Sequence, residues 1–380
     1  MPPKKKKGGA VSRKKGSKDA AQATLDKDSL IRICRNFLKA YTQRCQTVRS
    51  APSPRVTRDA KTLLEEDKAL EKFILEPCLS VPAAASTDQK DTPPPSKQLA
   101  KPAASYPMAV PVGVPMSANS RIASATEGGA TGRRYPILVQ TLVEAWCNAN
   151  YKFMRALHVW HLELPDEEIV SLALFMESPL GTNLVHLEII NGNISPWGFS
   201  RLAKSLKTCH LTNLHLDYNS IPVDCLANIC IALQKDAALQ VLSLKSCHLI
   251  ASCGEALGTL AVLSSLRELY LDNNLLECEG ATELFKLIAA FCENPTFPKP
   301  RLAKLCMQNN AIDENGKLVS LGPEVCMQLV KRWIVNSSDL IEIDFDRNYI
   351  GDGGGKEIME AMLQRKEAGL ADFRMTVTPR

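Results

Sequence analysis

One pattern recurs along this chain and leaves it few folds to adopt: L-x-x-L-x-L-x-x-N/C-x-L. It reads Leu211-x-x-Leu214-x-Leu216-x-x-Asn219-x-Ile221. It returns as Leu239, Leu242, Leu244, Cys247, Leu249 and as Leu266, Leu269, Leu271, Asn274, Leu276. Two more copies are Leu302, Leu305, Met307, Asn310, Ile312 and Leu340, Ile343, Phe345, Asn348, Ile350. Two earlier copies are degenerate. Leu184, Leu187, Ile189 and Ile194 fit with Gly192 at the Asn position, and Met154, Leu157, Val159 and Leu164 fit with Leu162 there. The seven units start at residues 154, 184, 211, 239, 266, 302 and 340, in steps of 27 to 38 residues.

Each unit predicts a short strand whose leucines point inward onto those of its neighbours. The Asn or Cys follows where the chain turns, and an Asn side chain there can bond backbone groups that the turn leaves unpaired. A helix then returns on the other side, as in Phe199-x-x-Leu202-Ala203-x-x-Leu206 and Leu226-x-x-Ile229-Cys230-x-x-Leu233. Helices are about 10 Å wide and strands about 4.8 Å apart, so such a stack must curve, with a parallel sheet inside and helices outside.

The pattern resembles the leucine-rich-repeat superfamily, and the period of 27 to 28 residues with mixed Asn and Cys turns resembles its ribonuclease-inhibitor-like subclass. The resemblance covers roughly residues 136–365. It implies an α/β class, curved solenoid. It implies a scaffold or binder, since most members are such and a few regulate small GTPases. A helix over Pro136–Asn150 is expected to cap one end, and residues after Ala361 the other. Two long units carry added segments at Asn294–Pro300 and Asp313–Pro323, expected as rim loops.

Ahead of the repeats the texture differs. Residues 1–23 read as a disordered basic tail. Residues 24–77 read as an amphipathic helical hairpin. Its first stripe is Leu30, Cys34, Phe37, Tyr41, Cys45 and Val48, and its second, over about 57–76, includes Leu63, Leu70, Phe73 and Ile74. So small a pair must dock on the body, pair with a partner or stay marginal. Residues 78–134 hold eight prolines and no periodicity, and read as a linker. The repeat domain is expected over 135–375.

Charge is placed unevenly. Lys4, Lys5, Lys6, Lys7, Arg13, Lys14, Lys15 and Lys18 stand in the first 18 residues with no acid, while the whole chain nets +5, so the body is mildly acidic. Such a tail attracts any anionic polymer by counterion release, and nucleic acid is expected as a partner only through it. The 13 cysteines form no CxxC pair and several lie in apolar helical patterns, which predicts reduced core thiols. With 45% hydrophobic and 23% charged residues, wholesale disorder is excluded. No apolar run of membrane-spanning length occurs, so no membrane span is expected, and no apolar stretch follows the basic start, so no secretory signal is read.

Residues between the inward leucines are expected to face the concave surface. One column reads His158, Glu188, His215, Ser243, Tyr270, Cys306, Asp344. The next reads Trp160, Ile190, Asp217, Lys245, Asp272, Gln308, Asp346, and a third reads His161, Asn191, Tyr218, Ser246, Asn273, Asn309, Arg347. Aromatic residues beside charge are typical anchors for protein partners, which selects Trp160, Tyr218, Tyr270, Asp272 and Asp346 as the contact patch. An ordinary solvated sheet face is the competing reading. His158, Glu188 and His215 align as a metal or base site would, but the period alone puts them in line. No nucleotide, hydrolase or zinc-protease motif is present, and the Gly-rich Gly351–Gly355 reads as a flexible turn before a terminal helix. The chain is therefore expected to have no catalytic residue, cofactor, metal or small-molecule substrate.

A Lys-rich leader ahead of such a solenoid, with many reduced thiols, resembles structural proteins of the ciliary or flagellar axoneme. That resemblance implies a cytoplasmic, axonemal protein partner, with tubulin tails as the acidic polymer. The alternatives are a small-GTPase regulator, against which the basic tail stands where that family has an acidic region, and a nuclear adaptor imported by Lys4–Lys7 with Arg13–Lys15.

Overall fold

Alternation of leucine with polar residues places each Leu-x-Leu core on one face of a pleated chain, and each becomes a short strand. In the computed structural model, which describes residues 27–77, 135–234, 238–313 and 322–378, these strands lie side by side in chain order. The described residues belong to one unit. The basic tail, the Pro-rich linker and residues 314–321 of the second added segment lie outside the described residues.

The unit opens with helices α1 (Lys27–Thr47) and α2 (Pro54–Glu65) and strand β1 (Lys72–Leu75). Helix α3 (Val139–Ala149) and β2 (Ala156–Trp160) follow, then α4 (Asp166–Met176), β3 (His186–Ile190), α5 (Pro196–Leu206), β4 (Asn213–His215) and α6 (Val223–Leu233). The second half runs β5 (Val241–Ser243), α7 (Gly254–Leu263), β6 (Glu268–Tyr270), α8 (Glu277–Glu293), β7 (Lys304–Cys306), α9 (Pro323–Asn336), β8 (Glu342–Phe345), α10 (Gly351–Glu367) and β9 (Arg374–Val377). All nine strands form one parallel sheet in the order β1 to β9. This is the leucine-rich-repeat solenoid, with seven repeat strands, β2 to β8, between two terminal ones.

The inward column is Phe73, Leu157, Leu187, Leu214, Leu242, Leu269, Leu305 and Ile343, paired strand to strand and fully buried. The turn asparagines form a ladder. Asn219 Nδ2 donates to Ile189 O at 2.8 Å and Leu216 O at 2.9 Å, and its Oδ1 accepts from Gly192 N at 2.8 Å. Asn274, Asn310 and Asn348 likewise donate back into the preceding unit, to Leu244 O, Leu271 O and Met307 O. At the Cys position, Cys247 Sγ donates to Leu216 O at 3.2 Å. Each side chain thus satisfies backbone groups that the turn would otherwise bury unpaired.

The N-terminal segment differs from the expected helical hairpin. Leu70, Phe73 and Ile74 do not continue a second helix: α2 ends at Glu65, and Lys72–Leu75 is a strand added to the edge of the sheet beside β2. A short apolar run satisfies either period, and the unpaired edge of β2 supplied the hydrogen-bond partners that decide for strand. Phe73 packs edge-on to Phe37 at 5.5 Å and Trp146 at 4.9 Å, and Trp146 meets Phe175 at 5.1 Å. Tyr151 Oη donates to Leu70 O at 2.8 Å, and Tyr41 Oη accepts from Ser53 N at 2.9 Å. Residues 27–77 therefore close this end of the solenoid together with α3.

At the other end, β9 pairs with β8, and the buried Arg365 holds the final turn. Its guanidinium donates to Ile334 O at 2.7 Å, Ser337 O at 2.6 Å and Ala371 O at 2.7 Å. Gly351–Gly355 is not a flexible turn but the first turn of α10, entered through Gly351 at φ +65°. Part of the extra length in the long units goes into helix, since α8 has 17 residues where α5 and α6 have 11. Of the twelve described cysteines, all but Cys147 are buried.

Candidate partner-binding face

The first column lies as the period requires: His158, Glu188, His215, Ser243, Tyr270, Cys306 and Asp344 are neighbours across successive strands. These side chains stand on the face away from the helices. Across eight strand steps this face extends about 38 Å.

The third column is not strand. His161, Asn191, Tyr218, Ser246, Asn273, Asn309 and Arg347 all take the left-handed conformation, with φ between 51° and 60°. Each turns the chain out of the sheet, and its N–H still donates to the next unit, as Tyr218 N does to Lys245 O at 2.8 Å. Non-glycine residues there carry about 1–2 kcal/mol of strain each, which the ladder on either side holds in place. The turn also throws the side chains to the rim. His161, Asn191, Tyr218, Ser246 and Asn273, with His248, line a shallow groove of about 480 Å³.

The five expected contact residues are not one patch. Trp160 and Asp346 lie at opposite ends, about 29 Å apart from β2 to β8 at the sheet spacing. Trp160 is half-buried, with Arg55 of α2 over its ring at 5.8 Å. Tyr218 is 58% exposed at the rim. Tyr270 is half-buried between Lys245 at 4.7 Å and Lys304 at 5.4 Å, and its Oη donates to Glu268 at 2.6 Å. Burial and then that bond to Glu268 push the phenol up to about 12.

Asp272 is buried, which removes it as an exposed anchor. Its carboxylate accepts from Gln308 N at 3.1 Å and pairs with Lys245 Nζ at 2.9 Å. Asp217 does the same job two repeats earlier, accepting from Ser243 Oγ at 2.6 Å and Lys245 N at 2.8 Å. A carboxylate next to the strand end ties down the adjoining strand. Asp346 is half-buried and accepts from Thr378 Oγ1 at 2.6 Å, which anchors the segment after β9.

The face is divided chemically. Its C-terminal half is ionic: Lys304 pairs with Glu342 at 2.7 Å, and Arg374 reaches Glu342 at 3.7 Å. Its N-terminal half is built of histidines. His158 Nδ1 contacts Glu188 Oε2, His186 stacks on His158 at 4.8 Å between ring centres, and His215 stacks on His186 at 5.2 Å. Burial alone would raise the Glu188 carboxyl, but His158 and His186 hold it well below the usual carboxylate range. His186 was not among the expected site residues. It stands two residues before Glu188 on β3, so the period of two puts both on the same face.

Among the described residues, no helix is long and apolar enough to cross a membrane. No protein-family model matches the sequence, and no curated protein matches it. Several solved structures do show similarity. The tropomodulin C-terminal domain from Caenorhabditis elegans is 15% identical, with 44% of this chain and 92% of that one aligned at a TM-score of 0.34. Leiomodin-1 actin-binding site 2 is 12% identical over 46% of this chain and 92% of that one, at 0.35. An internalin from Listeria monocytogenes is 12% identical over 63% and 77%, at 0.20. The repeat architecture stands on the strand register and the asparagine ladder, not on these low scores.

Proposed function

We propose that this chain is a non-catalytic interaction scaffold that holds a protein partner against the open face of its sheet. The observation that carries this reading is the size and make-up of that face. Side chains from nine strands form one continuous surface about 38 Å long, with aromatic rings, histidines and charges and a shallow groove along its rim. A surface that long suits a protein, not a small molecule. Its ionic pairs are largely satisfied internally, which leaves Tyr218 and its rim neighbours as the exposed contacts.

The setting we propose is the ciliary or flagellar axoneme. What supports it is the division between a solenoid of net negative charge and a Lys-rich leader at residues 1–18, which suits an acidic polymer such as tubulin tails. The test is localisation of the tagged full-length chain in a ciliated cell, before and after detergent extraction. Retention along the extracted axoneme, released by high salt, is the expected result. A nuclear signal, or a diffuse one lost with the detergent, overturns the axonemal setting. Raised GTP hydrolysis by a small GTPase on addition of the chain would instead assign it to regulation.

A further inference from the structure

The N-terminal half of the open face gathers His158, His186 and Glu188, whose donor atoms all lie within 4.8 Å of one another. His158 comes from β2, and His186 and Glu188 from β3, so two rigid neighbouring strands hold all three. His158 is buried and Glu188 half-buried. His186 Nε2 is buried with no hydrogen-bond partner, 3.9 Å from Glu188 Oε2. A buried imidazole nitrogen left unpaired beside a carboxylate is costly unless something binds it.

We propose that His158, His186 and Glu188 bind a divalent transition-metal ion of the zinc type. Two imidazoles and one carboxylate are a known donor set for zinc, which binds nitrogen and oxygen at about 2.0–2.2 Å in a tetrahedron. The edge of such a tetrahedron is about 3.3 Å. The His186–Glu188 separation of 3.9 Å is already close to that. The Glu188 side chain withdraws from its close contact with His158 as the ion enters. Three protein ligands leave the fourth position on the open face, available to water or to a side chain of a bound partner. The aligned register by itself would make only a row. The unpaired nitrogen and the second histidine on β3 are what make a pocket for an ion.

The site is independent of any partner, and the full-length chain tests it. The protein is stripped with a chelator, kept reduced, and titrated with zinc by calorimetry and with cobalt by visible absorption. One equivalent of zinc is expected to bind. The cobalt complex should show a tetrahedral nitrogen–oxygen spectrum with no thiolate charge-transfer band. Glu188→Gln and His186→Asn should each weaken binding by at least about tenfold. No binding by the parent chain overturns the site, as does a thiolate band or undiminished affinity in both variants. If either variant fails to fold, the cobalt spectrum of the parent chain decides alone.

Discussion

Asn274 Oδ1 accepts the backbone N–H of Cys247 at 2.9 Å and so joins the turns of two consecutive repeats. The same oxygen takes the N–H of Leu249 at 3.1 Å, while Nδ2 donates to Leu244 O and Leu271 O. One fully enclosed carboxamide thus satisfies four backbone groups. Asn274→Ala strands them, and at about 1–3 kcal/mol for each buried unpaired group the loss should be about 3 kcal/mol after partial relaxation. Asn274→Cys should cost less, because Cys247 already serves at the equivalent position through its thiol. Urea unfolding of the two variants checks this. Equal and negligible losses would mean that the ladder does not hold the stack.

Two glycines set how closely α7 and α8 approach. A Cβ on Gly254 would stand 2.1 Å from Gly280 O, so Gly254→Ala must push the helices apart. The expected cost is about 1–3 kcal/mol. Gly355→Ala is the opposite case, since nothing lies within 4 Å of its Cβ in α10. It should stabilise by about 0.5–1 kcal/mol through helix propensity. Thermal melts of both variants should therefore move in opposite directions.

Acid should weaken the fold in two windows. Burial, and then the neighbouring His186, lower the His215 pKa below its ordinary 6.5, against the pull of Glu188 and Asp217. Below pH 6.5 the unfolded chain then binds more protons than the folded one, so stability falls as pH drops toward the folded value. Glu188 is held below its ordinary 4.5, so its contribution is complete above that pH and is lost as pH falls further. Melting curves with a chelator present check the windows. His215→Asn should flatten the upper one and leave most of the lower one, which rests first on His158 and His186. A parent chain that gains stability between neutral pH and the upper window would contradict the assignment.

Tyr218 separates contact from fold. Its side chain is exposed and its backbone left-handed, a conformation that Asn tolerates better than Tyr. Tyr218→Asn should leave the melting temperature unchanged or slightly raised while reducing axonemal retention of the tagged chain. A fold loss of more than about 1 kcal/mol in this variant would show that the ring packs in the body instead.

Much of the fold was legible because the repeat period repeats a physical constraint. The register His158–Glu188–His215 through Asp344 follows from counting, and the Asn ladder from the turn that each unit must make. What escaped lies where no neighbour repeats the pattern. Phe73 and Ile74 of β1, and Met375 of β9, are short terminal strands whose pairing exists only once the solenoid is built. The turn conformation of Tyr218 and the enclosure of Asp272 are also tertiary results. A residue two or three places past a leucine looks like strand in the sequence, and only the stack shows whether it ends as an exposed rim or an internal strut. His186 escaped because its column stands at the first residue of each strand, ahead of the Leu-x-Leu core, and mixes Ala156 and Val241 with Glu268, Lys304 and Glu342.

On the proposed function, a protein partner sits on the open face of the sheet. The most direct measurement places a photo-crosslinking amino acid at Tyr218, on the rim of that face, and in a second chain at Ile231, which is 53% exposed on α6 behind the sheet. Both chains are expressed in ciliated cells and irradiated before extraction. A partner on the open face should give a discrete crosslinked species from position 218 and none from position 231. The same species from 231 alone, or equal yields from both, would contradict it.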